Sequence, residues 1–158
     1  MTVLITLLIL TDISAVYFAK RGLTQATEAA AQRGVRNLDL DGYYRGKYNA
    51  SQFFINLTSQ GESDPGIPID CSKGRTDALS AIQELSSSRH SLLGAHIGEI
   101  KVDHMSCDGY QLSIETSSYA TLPFLIPFIN IEKVEIRARV GSFDERKVTT
   151  NYYGINVG

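Results

Sequence analysis

The sequence has no excess of basic charge: its 15 Lys and Arg residues stand against 17 Asp and Glu, which gives a formal net charge of -2. Without a basic surplus there is little electrostatic attraction to phosphate backbones, so no nucleic-acid partner is expected. A length of 158 residues suits one globular unit with a small appendage, because two independent cores would each be too small to be stable.

Catalytic motifs are also lacking. The sequence has no Gly-Xaa-Ser-Xaa-Gly elbow, no phosphate-binding Gly-Lys-Ser/Thr loop and no His-Glu-Xaa-Xaa-His helix. His90, His96 and His104 are too scattered for a metal site, and no Cys or acidic residue completes a ligand set. We therefore expect that the protein is not an enzyme and has no cofactor, bound metal or small-molecule substrate.

Charge and proline are scarce at the N-terminus. Residues 2 to 19 contain one ionisable side chain, Asp12, and no proline precedes Pro65. Eighteen such residues in a helix extend about 27 Å, close to the hydrocarbon thickness of about 30 Å. The segment is therefore predicted to span a membrane.

The N-terminal helix is predicted to continue to about residue 37, because strong helix formers follow the apolar run. At about 50 Å it would be too long for a bilayer alone, so its second half should pack on protein. Small residues recur along it at intervals of three or four. They indicate close helix packing or, alternatively, only high helix propensity. These small residues are Ala15, Ala19, Gly22, Ala26, Ala30 and Gly34.

Only two cysteines occur, Cys71 and Cys107, both beyond the apolar run. An even count in an exported domain favours a disulfide. Two reduced thiols in a cytosolic protein are the alternative, for which the apolar N-terminus offers no support. A disulfide at this spacing would stabilise a small domain by about 4 kcal/mol in the chain-entropy treatment.

The middle of the chain is predicted to form an irregular connecting segment, followed by a second helix. Residues 38 to 75 are rich in Gly, Asn, Ser, Asp and Tyr, and Phe53-Phe54-Ile55 could add either a helical turn or a strand. Thr76 or Asp77 is predicted to cap a helix that ends near Gly94. Its apolar stripe is Leu79, Ile82, Leu85, Leu92 and Leu93.

After this helix the period of the pattern changes to two. Alternation within 97–103, 110–114 and 134–140 predicts three antiparallel strands, and Asp108-Gly109 predicts a hairpin between the first two. Residues 148 to 157 are predicted to add an edge strand or to form a tail.

Two prolines interrupt residues 122 to 131, which are predicted to form a loop because proline cannot donate a ladder hydrogen bond. The loop is apolar, and it either presents an interaction patch or covers one end of the sheet as a small core. Its candidate interaction residues are Pro123, Phe124, Leu125, Pro127 and Phe128.

The run from Asp12 to Ala30 contains an acidic residue, aromatic residues, Lys20-Arg21 and an alanine-rich amphipathic turn, in that order. It resembles the N-terminal helix of TadE/TadG-like proteins of tight-adherence pilus systems. Thr121–Leu125 followed by Val134–Val140 looks like the late Pro-rich loop and strand of the same family. The resemblance covers most of the chain except residues 38 to 75, and it implies a minor pilin or assembly component, with a major pilin as the alternative.

Two features depart from the pilin pattern. Pilin precursors carry a basic leader before the apolar run, and many mature pilins have Glu at the fifth position, where this sequence has Ile5. Two expectations stay open: a mature form that begins at Met1, or a precursor that extends beyond the given sequence.

Charged residues in and beside the apolar run have predicted roles. Asp12 costs about 3 kcal/mol on membrane-insertion scales, so pairing with a cation such as a neighbouring subunit's N-terminal amine is predicted, with protonation or snorkelling as the alternative. Lys20 and Arg21 would be cytoplasmic by the positive-inside rule. We expect the opposite orientation, because a basic leader would reverse the balance and the cysteines lie on this side. In either orientation both residues are expected to anchor at the headgroups.

The expected fold is α+β and pilin-like: residues 1 to 37 form the helix, and residues 38 to 158 form an extracellular domain with one helix and an antiparallel sheet of three to four strands. We expect a subunit of a type IV/Tad-like pilus, located in the cytoplasmic membrane before assembly and at the cell surface afterwards. Its partners would be other pilins, the membrane and the assembly machinery. The predicted assembly residues are Leu4, Leu8, Asp12, Ala15, Ala19, Ala26 and Ala30.

The alternative function is a monomeric, membrane-anchored binding module that uses Tyr-rich loops and the Pro-Phe segment. The sequons at Asn49 and Asn56 lie in the loop-rich part of the chain. No N-linked sugar is expected there if the source is bacterial, as the resemblance implies.

Overall fold

The computed structural model describes residues 2–44, 67–92, 97–124, 131–143, 151–152 and 155–156. A long helix precedes a small helix-and-sheet domain, which confirms the α+β prediction. The elements are α1 (Thr2–Val35), α2 (Leu40–Tyr44), α3 (Cys71–Leu92), β1 (Lys101–Cys107), β2 (Gln111–Thr121), β3 (Lys133–Phe143), β4 (Asn151–Tyr152) and β5 (Ile155–Asn156).

Helix α1 is continuous for 34 residues, about 51 Å at 1.5 Å per residue. No proline interrupts it, and alanine, the strongest helix former, is the commonest residue in its second half. It ends two residues before the predicted position, where the backbone N–H and side-chain amide of Asn37 both donate to the Gly34 carbonyl at 3.3 Å. These bonds satisfy a carbonyl that the helix itself leaves without a partner.

Strands β1, β2 and β3 form an antiparallel sheet with β2 in the centre. The predicted hairpin at Asp108-Gly109 is confirmed: Gly109 has φ 95°, and Asp108 Oδ1 accepts the N–H groups of Tyr110 and Gln111 at 2.9 and 2.7 Å. β1 begins at Lys101, later than predicted, because Ile97 makes only an isolated bridge to Ala120.

The face of the sheet toward α1 carries the alternating apolar residues. On β3 these include Ile136 and Ala138, as the period of two predicts. β2 is longer than predicted, at 11 residues, because buried Thr116 and Ser118 continue its inner face between apolar positions. Sequence hydropathy alone hides this extension, since both residues are polar.

α1 packs across β2 and β3, and α3 packs beside α1. The two helix backbones approach closely at Gly34 and Gly74: a Cβ atom on Gly34 would lie 2.8 Å from the Gly74 carbonyl oxygen and would also meet the Leu112 side chain. The buried side chains of α1 from Ala19 to Val35 belong to the core of the globular domain. The predicted division at residue 37 separates the helix from the domain in sequence but not in packing.

The prediction for the start of α3 was wrong. The helix begins five residues before Thr76, and Asp70 caps it by accepting the N–H groups of Ser72 and Lys73 at 3.1 and 3.2 Å. Thr76 lies inside the helix and donates back to the Ser72 carbonyl at 3.0 Å. Asp77 instead accepts a hydrogen bond from Asn37 at 2.9 Å.

Some of the remaining predictions for the middle and end of the chain fall on described residues and some do not. The segment predicted as irregular contains α2 and the first turn of α3, and Leu38 bridges to Ile69. β4 and β5 pair with each other in a separate ladder. Phe53-Phe54-Ile55, both sequons and the predicted helix end near Gly94 lie outside the described residues.

The predicted disulfide is confirmed between Cys71 and Cys107, whose Cα atoms are 5.8 Å apart. It joins the first residue of α3 to the last residue of β1. The bond therefore fixes the N-terminus of α3 against the edge strand next to the β1–β2 hairpin.

Candidate functional site on the N-terminal helix

The first half of α1 is apolar and mostly uncovered by the rest of the described chain. By length and composition, α1 is the one described helix that could cross a membrane. Its large exposed side chains include Val3, Leu4, Ile5, Leu7, Leu10 and Ile13, with exposed fractions of 45 to 78%. This confirms an N-terminal helix that is long and apolar enough to cross a membrane.

Asp12 interrupts this apolar surface but is itself buried, at 4% exposure. Its Oδ1 accepts the backbone N–H of Phe124 at 3.2 Å, while Oδ2 is buried without a hydrogen-bond partner among the described residues. The side chain thus faces the chain's own β2–β3 loop, and protonation or snorkelling in a membrane stays the alternative prediction. Pairing with a neighbouring subunit remains a prediction, and Oδ2 is the atom that it would use.

Aromatic and basic side chains mark the end of the exposed segment. Tyr17 and Phe18 are 63 and 66% exposed, and their rings meet edge to face with centroids 6.0 Å apart. Lys20 and Arg21 follow and are also exposed. This order is typical of a membrane–water interface, where amphipathic rings lie at the headgroups and cations lie beyond them.

The predicted assembly residues fall into two groups. Leu4 is exposed, and Leu8 and Ala15 are half-buried, so these three remain on or near the surface of α1. Asp12, Ala19, Ala26 and Ala30 are buried within the chain, at 4% exposure or less. From Ala19 onward the small residues allow α1 to approach its own sheet and α3, so they are not open to a second copy in this conformation.

The β2–β3 loop adds apolar surface beside the first half of α1. Leu122 donates to the Glu132 carbonyl at 3.0 Å, which closes the described base of the loop, and neither end continues a strand. This confirms the loop prediction for the described residues. Phe124 is 42% exposed and Pro123 is also exposed, whereas Leu125, Pro127 and Phe128 lie outside the described residues.

A second hydrogen bond joins α1 to β2, and the sequence did not predict it. The hydroxyl groups of Thr27 and Thr116 are 2.7 Å apart and buried. Thr27 donates its proton to the Leu23 carbonyl at 2.8 Å, so Thr116 donates to Thr27. A polar residue on the alanine-rich side of α1 was the available signal, but its partner lies 89 residues away in the chain.

The opposite face of the sheet carries paired charges. Arg139 contacts Glu115 at 3.0 Å across β2 and β3, and Arg137 contacts Glu135 at 2.9 Å. Glu135 raises the pKa of Arg137 above its ordinary value by accepting a hydrogen bond. These side chains are exposed to solvent, and exposed ion pairs contribute little to stability.

Comparison of this chain with protein-family models, curated proteins and solved structures finds no match. The function is therefore argued from the site itself. In the part of the chain that the structure describes, no three His, Cys, Asp or Glu side chains lie close enough to hold a metal ion. His104 is exposed on β1. The chemistry available at the α1 site is burial of apolar surface, with Asp12 as its one buried carboxyl.

Proposed function

We propose that this chain is a structural subunit, a minor or major pilin, of an extracellular type IV/Tad-like filament. In this proposal α1 anchors the subunit in the membrane before assembly and packs among sister helices afterwards. The observation that carries it is the asymmetry of α1, a single helix that exposes large apolar side chains in its first half and buries one face in its own domain from Ala19 onward.

The exposed half of α1 needs cover from outside the chain. Burying each Leu or Ile from water contributes about 1.5 to 3 kcal/mol, and at least six large apolar side chains are exposed there. Lipid supplies this cover before assembly. Transfer from lipid to a helical bundle gains less, so the bundle must be stabilised by close packing of side chains on Leu4, Leu8 and Ala15.

The order of sequence features supports the same proposal. The resemblance to TadE/TadG-like proteins rests on the acidic, aromatic and basic residues from Asp12 to Arg21 and on the late Pro-rich loop. The hydrogen bond from Phe124 to Asp12 links these two regions in space. Because this bond needs both the acidic residue in the helix and the loop beside it, it gives a physical reason for the two regions to occur in one chain.

Fractionation of the native host tests the function. Filaments sheared from the cells should contain the chain with residues 2 to 19 intact, as judged by mass spectrometry. The double variant Leu4→Ala/Leu8→Ala should reach the membrane at an unchanged level but decline in the sheared fraction, because its packing surface is reduced. Leu79→Ala, on an exposed position of α3, serves as the matched control.

The alternative of a monomeric binding module gives a different result in the same experiment. The chain would then stay in the membrane fraction, would be absent from sheared material, and would respond to neither substitution. That outcome would reject the filament proposal.

A further inference from the structure

Two hydrogen bonds hold β2 and the β2–β3 loop beside α1. Thr116 bonds to Thr27 in the middle of both elements, and Phe124 bonds to Asp12 near the exposed half of the helix. Between these points α1 advances about 22 Å and the β2 segment about 26 Å at ordinary helix and strand rises. The strand therefore follows the helix toward its N-terminus, and the loop lies at the level of Asp12.

The position of the loop relative to a membrane follows from the interface residues on α1. Tyr17 and Phe18, followed by Lys20 and Arg21, mark the headgroup level. Asp12 lies five to six residues before the two rings, about 8 to 9 Å deeper along the helix. Segments that insert at the boundary between headgroups and acyl chains reach a depth of about 5 to 10 Å.

The geometry points to a second membrane contact: the loop residues Pro123, Phe124 and Ile131 insert into the leaflet on the domain's side, beside α1. This inference rests on the membrane anchoring in the proposed function. Because Asp12 ties the loop to the helix, a bilayer cannot surround α1 at residue 12 without meeting the loop. Phe124 and Ile131 offer apolar surface for it, at 42 and 47% exposure.

The backbone of the loop's first three residues is suited to lipid. Leu122 donates its N–H to Glu132, Pro123 has no N–H, and Phe124 donates its N–H to Asp12. No N–H group of these three residues is therefore left without an acceptor, which removes part of the cost of bringing irregular backbone into an apolar medium. Exposed Glu132 and Lys133 stand at the base of the loop, where the polar surface begins.

The insertion also gives Asp12 a function within a single subunit. A carboxylate in an apolar helix is costly, and a lipid-facing N–H without an acceptor is costly as well. The bond between Asp12 and Phe124 offsets part of both costs at one position. The loop thus acts as a second contact that limits tilting of the domain about α1.

Depth-dependent fluorescence quenching tests the inference. The full chain, with its disulfide intact, carries one added cysteine labelled with an environment-sensitive fluorophore, at Phe124→Cys, Leu7→Cys or Phe143→Cys. Each protein is reconstituted in phosphatidylethanolamine and phosphatidylglycerol vesicles that contain lipids spin-labelled either near the headgroup or at the acyl-chain end. Phe143 is the matched control, because it is also exposed but lies at the opposite end of β3.

The expected result is that the Phe124→Cys label loses most of its emission with headgroup-proximal spin labels and that Phe143→Cys loses none. The Leu7→Cys label should be quenched by at least one of the two spin-labelled lipids, whether or not the loop contacts the membrane. If Leu7→Cys is quenched but Phe124→Cys is not, the loop contact is refuted while the anchor stands. If neither is quenched, the anchor itself fails and the loop contact with it. Emission from Phe124→Cys that is blue-shifted but unquenched would mean that a second copy covers the loop, which also overturns the inference.

Discussion

At the scale of single residues, Asp12 has two oxygen atoms in different situations. Oδ1 accepts the Phe124 N–H, whereas Oδ2 is buried without a partner in the described chain. Buried polar atoms are nearly always hydrogen-bonded, but Oδ2 is covered by the chain itself, so a cation from a neighbouring subunit would reach it only after the surrounding side chains move. Holding the loop and pairing with a neighbour therefore use different atoms and can be separated by substitution.

Asparagine and alanine at position 12 should distinguish these two roles. Asp12→Asn keeps an acceptor for Phe124 but removes the negative charge, whereas Asp12→Ala removes both. We expect Asp12→Ala to speed hydrogen exchange of the Phe124 amide about 3- to 10-fold, since one hydrogen bond contributes about 0.5 to 1.5 kcal/mol, and Asp12→Asn to leave it nearly unchanged.

Incorporation into sheared filaments is the second measurement on these variants. If charge pairing drives assembly, both variants should be lost from filaments at unchanged membrane levels. Normal incorporation of Asp12→Asn would refute pairing with a cation and leave the loop bond as the role of Asp12.

The Thr27–Thr116 bond allows a second residue-scale prediction. Thr27→Val should lower the free energy of unfolding by about 1 to 3 kcal/mol, because the buried Thr116 hydroxyl loses its acceptor. The double variant Thr27→Val/Thr116→Val should recover part of that loss, since no hydroxyl is then left unpaired. Urea unfolding in detergent micelles measures both values.

Thr24→Val is the matched control for this cycle. Thr24 makes the same bond to the carbonyl four residues earlier, at 3.0 Å to Lys20, and within the described part of the chain its hydroxyl has no hydrogen bond to the sheet. Its substitution should change stability by much less. Strictly additive effects of the Thr27 and Thr116 substitutions would contradict the proposed coupling.

At the scale of elements, two aspartates set the boundaries of α3 and the β1–β2 hairpin. The backbone N–H of Lys73, with its ammonium group, lowers the pKa of Asp70 below the ordinary 3.8. The N–H groups of Tyr110 and Gln111 lower the pKa of Asp108 in the same way. Both carboxylates accept these bonds best when charged, so the cap and the turn favour the ionised forms.

These shifts predict a loss of stability in acid. A carboxyl group whose pKa is lower in the folded state stabilises the fold above its unfolded pKa, about 4, and this stabilisation disappears as the pH falls through the folded value. The thermal unfolding midpoint should therefore decrease below about pH 4. In Asp70→Asn/Asp108→Asn the decrease should be smaller, because the amides accept the same bonds without titrating.

Glu28→Gln, at an exposed position of α1, is the control for removing a carboxyl group without a cap. It should follow the acid profile of the unaltered chain. Identical acid profiles for the double variant and the unaltered chain would refute the role of the two caps.

At the scale of the whole molecule, the disulfide and the α1 packing hold the domain together. Cys71 and Cys107 are separated by 36 residues, and they join α3 to β1, which otherwise contact each other only through a small surface. β1 is an edge strand whose other main neighbour is β2. The disulfide therefore stabilises the side of the domain that α1 does not cover.

Removing the disulfide should lower the free energy of unfolding by about 2 to 4 kcal/mol, chiefly by freeing the unfolded chain. Cys71→Ser/Cys107→Ser should show this loss in urea unfolding, and a reducing agent should produce a similar loss in the unaltered chain. The reducing agent should have no effect on the serine variant, which is the control. Equal unfolding midpoints with and without the disulfide would contradict the prediction.

Several elements could be predicted from local pattern because their causes are local. Helix α1 follows from a proline-free run, the hairpin follows from Asp108-Gly109, and the inner face of β3 follows from a period of two. The start of α3 was predicted too late, at Thr76 or Asp77, because residue type alone does not distinguish these caps from Asp70, which caps the helix. Two contacts accompany the observed start at Cys71: the disulfide of Cys71 and the hydrogen bond from Asn37 to Asp77. Both join residues that are far apart in the chain, so the local pattern does not show them.

The sequence by itself determined that an apolar helix begins the chain, that a small α+β domain follows and that the cysteines can pair, because propensity, periodicity and composition act over neighbouring residues. The packing of the second half of α1 on protein was also expected from its length, but only the folded structure shows that β2, β3 and α3 cover it, that Asp12 faces the β2–β3 loop and that Thr27 meets Thr116. Those contacts join residues 89 and 112 positions apart. Such pairings depend on how the helix lies across the sheet, and no local pattern encodes that.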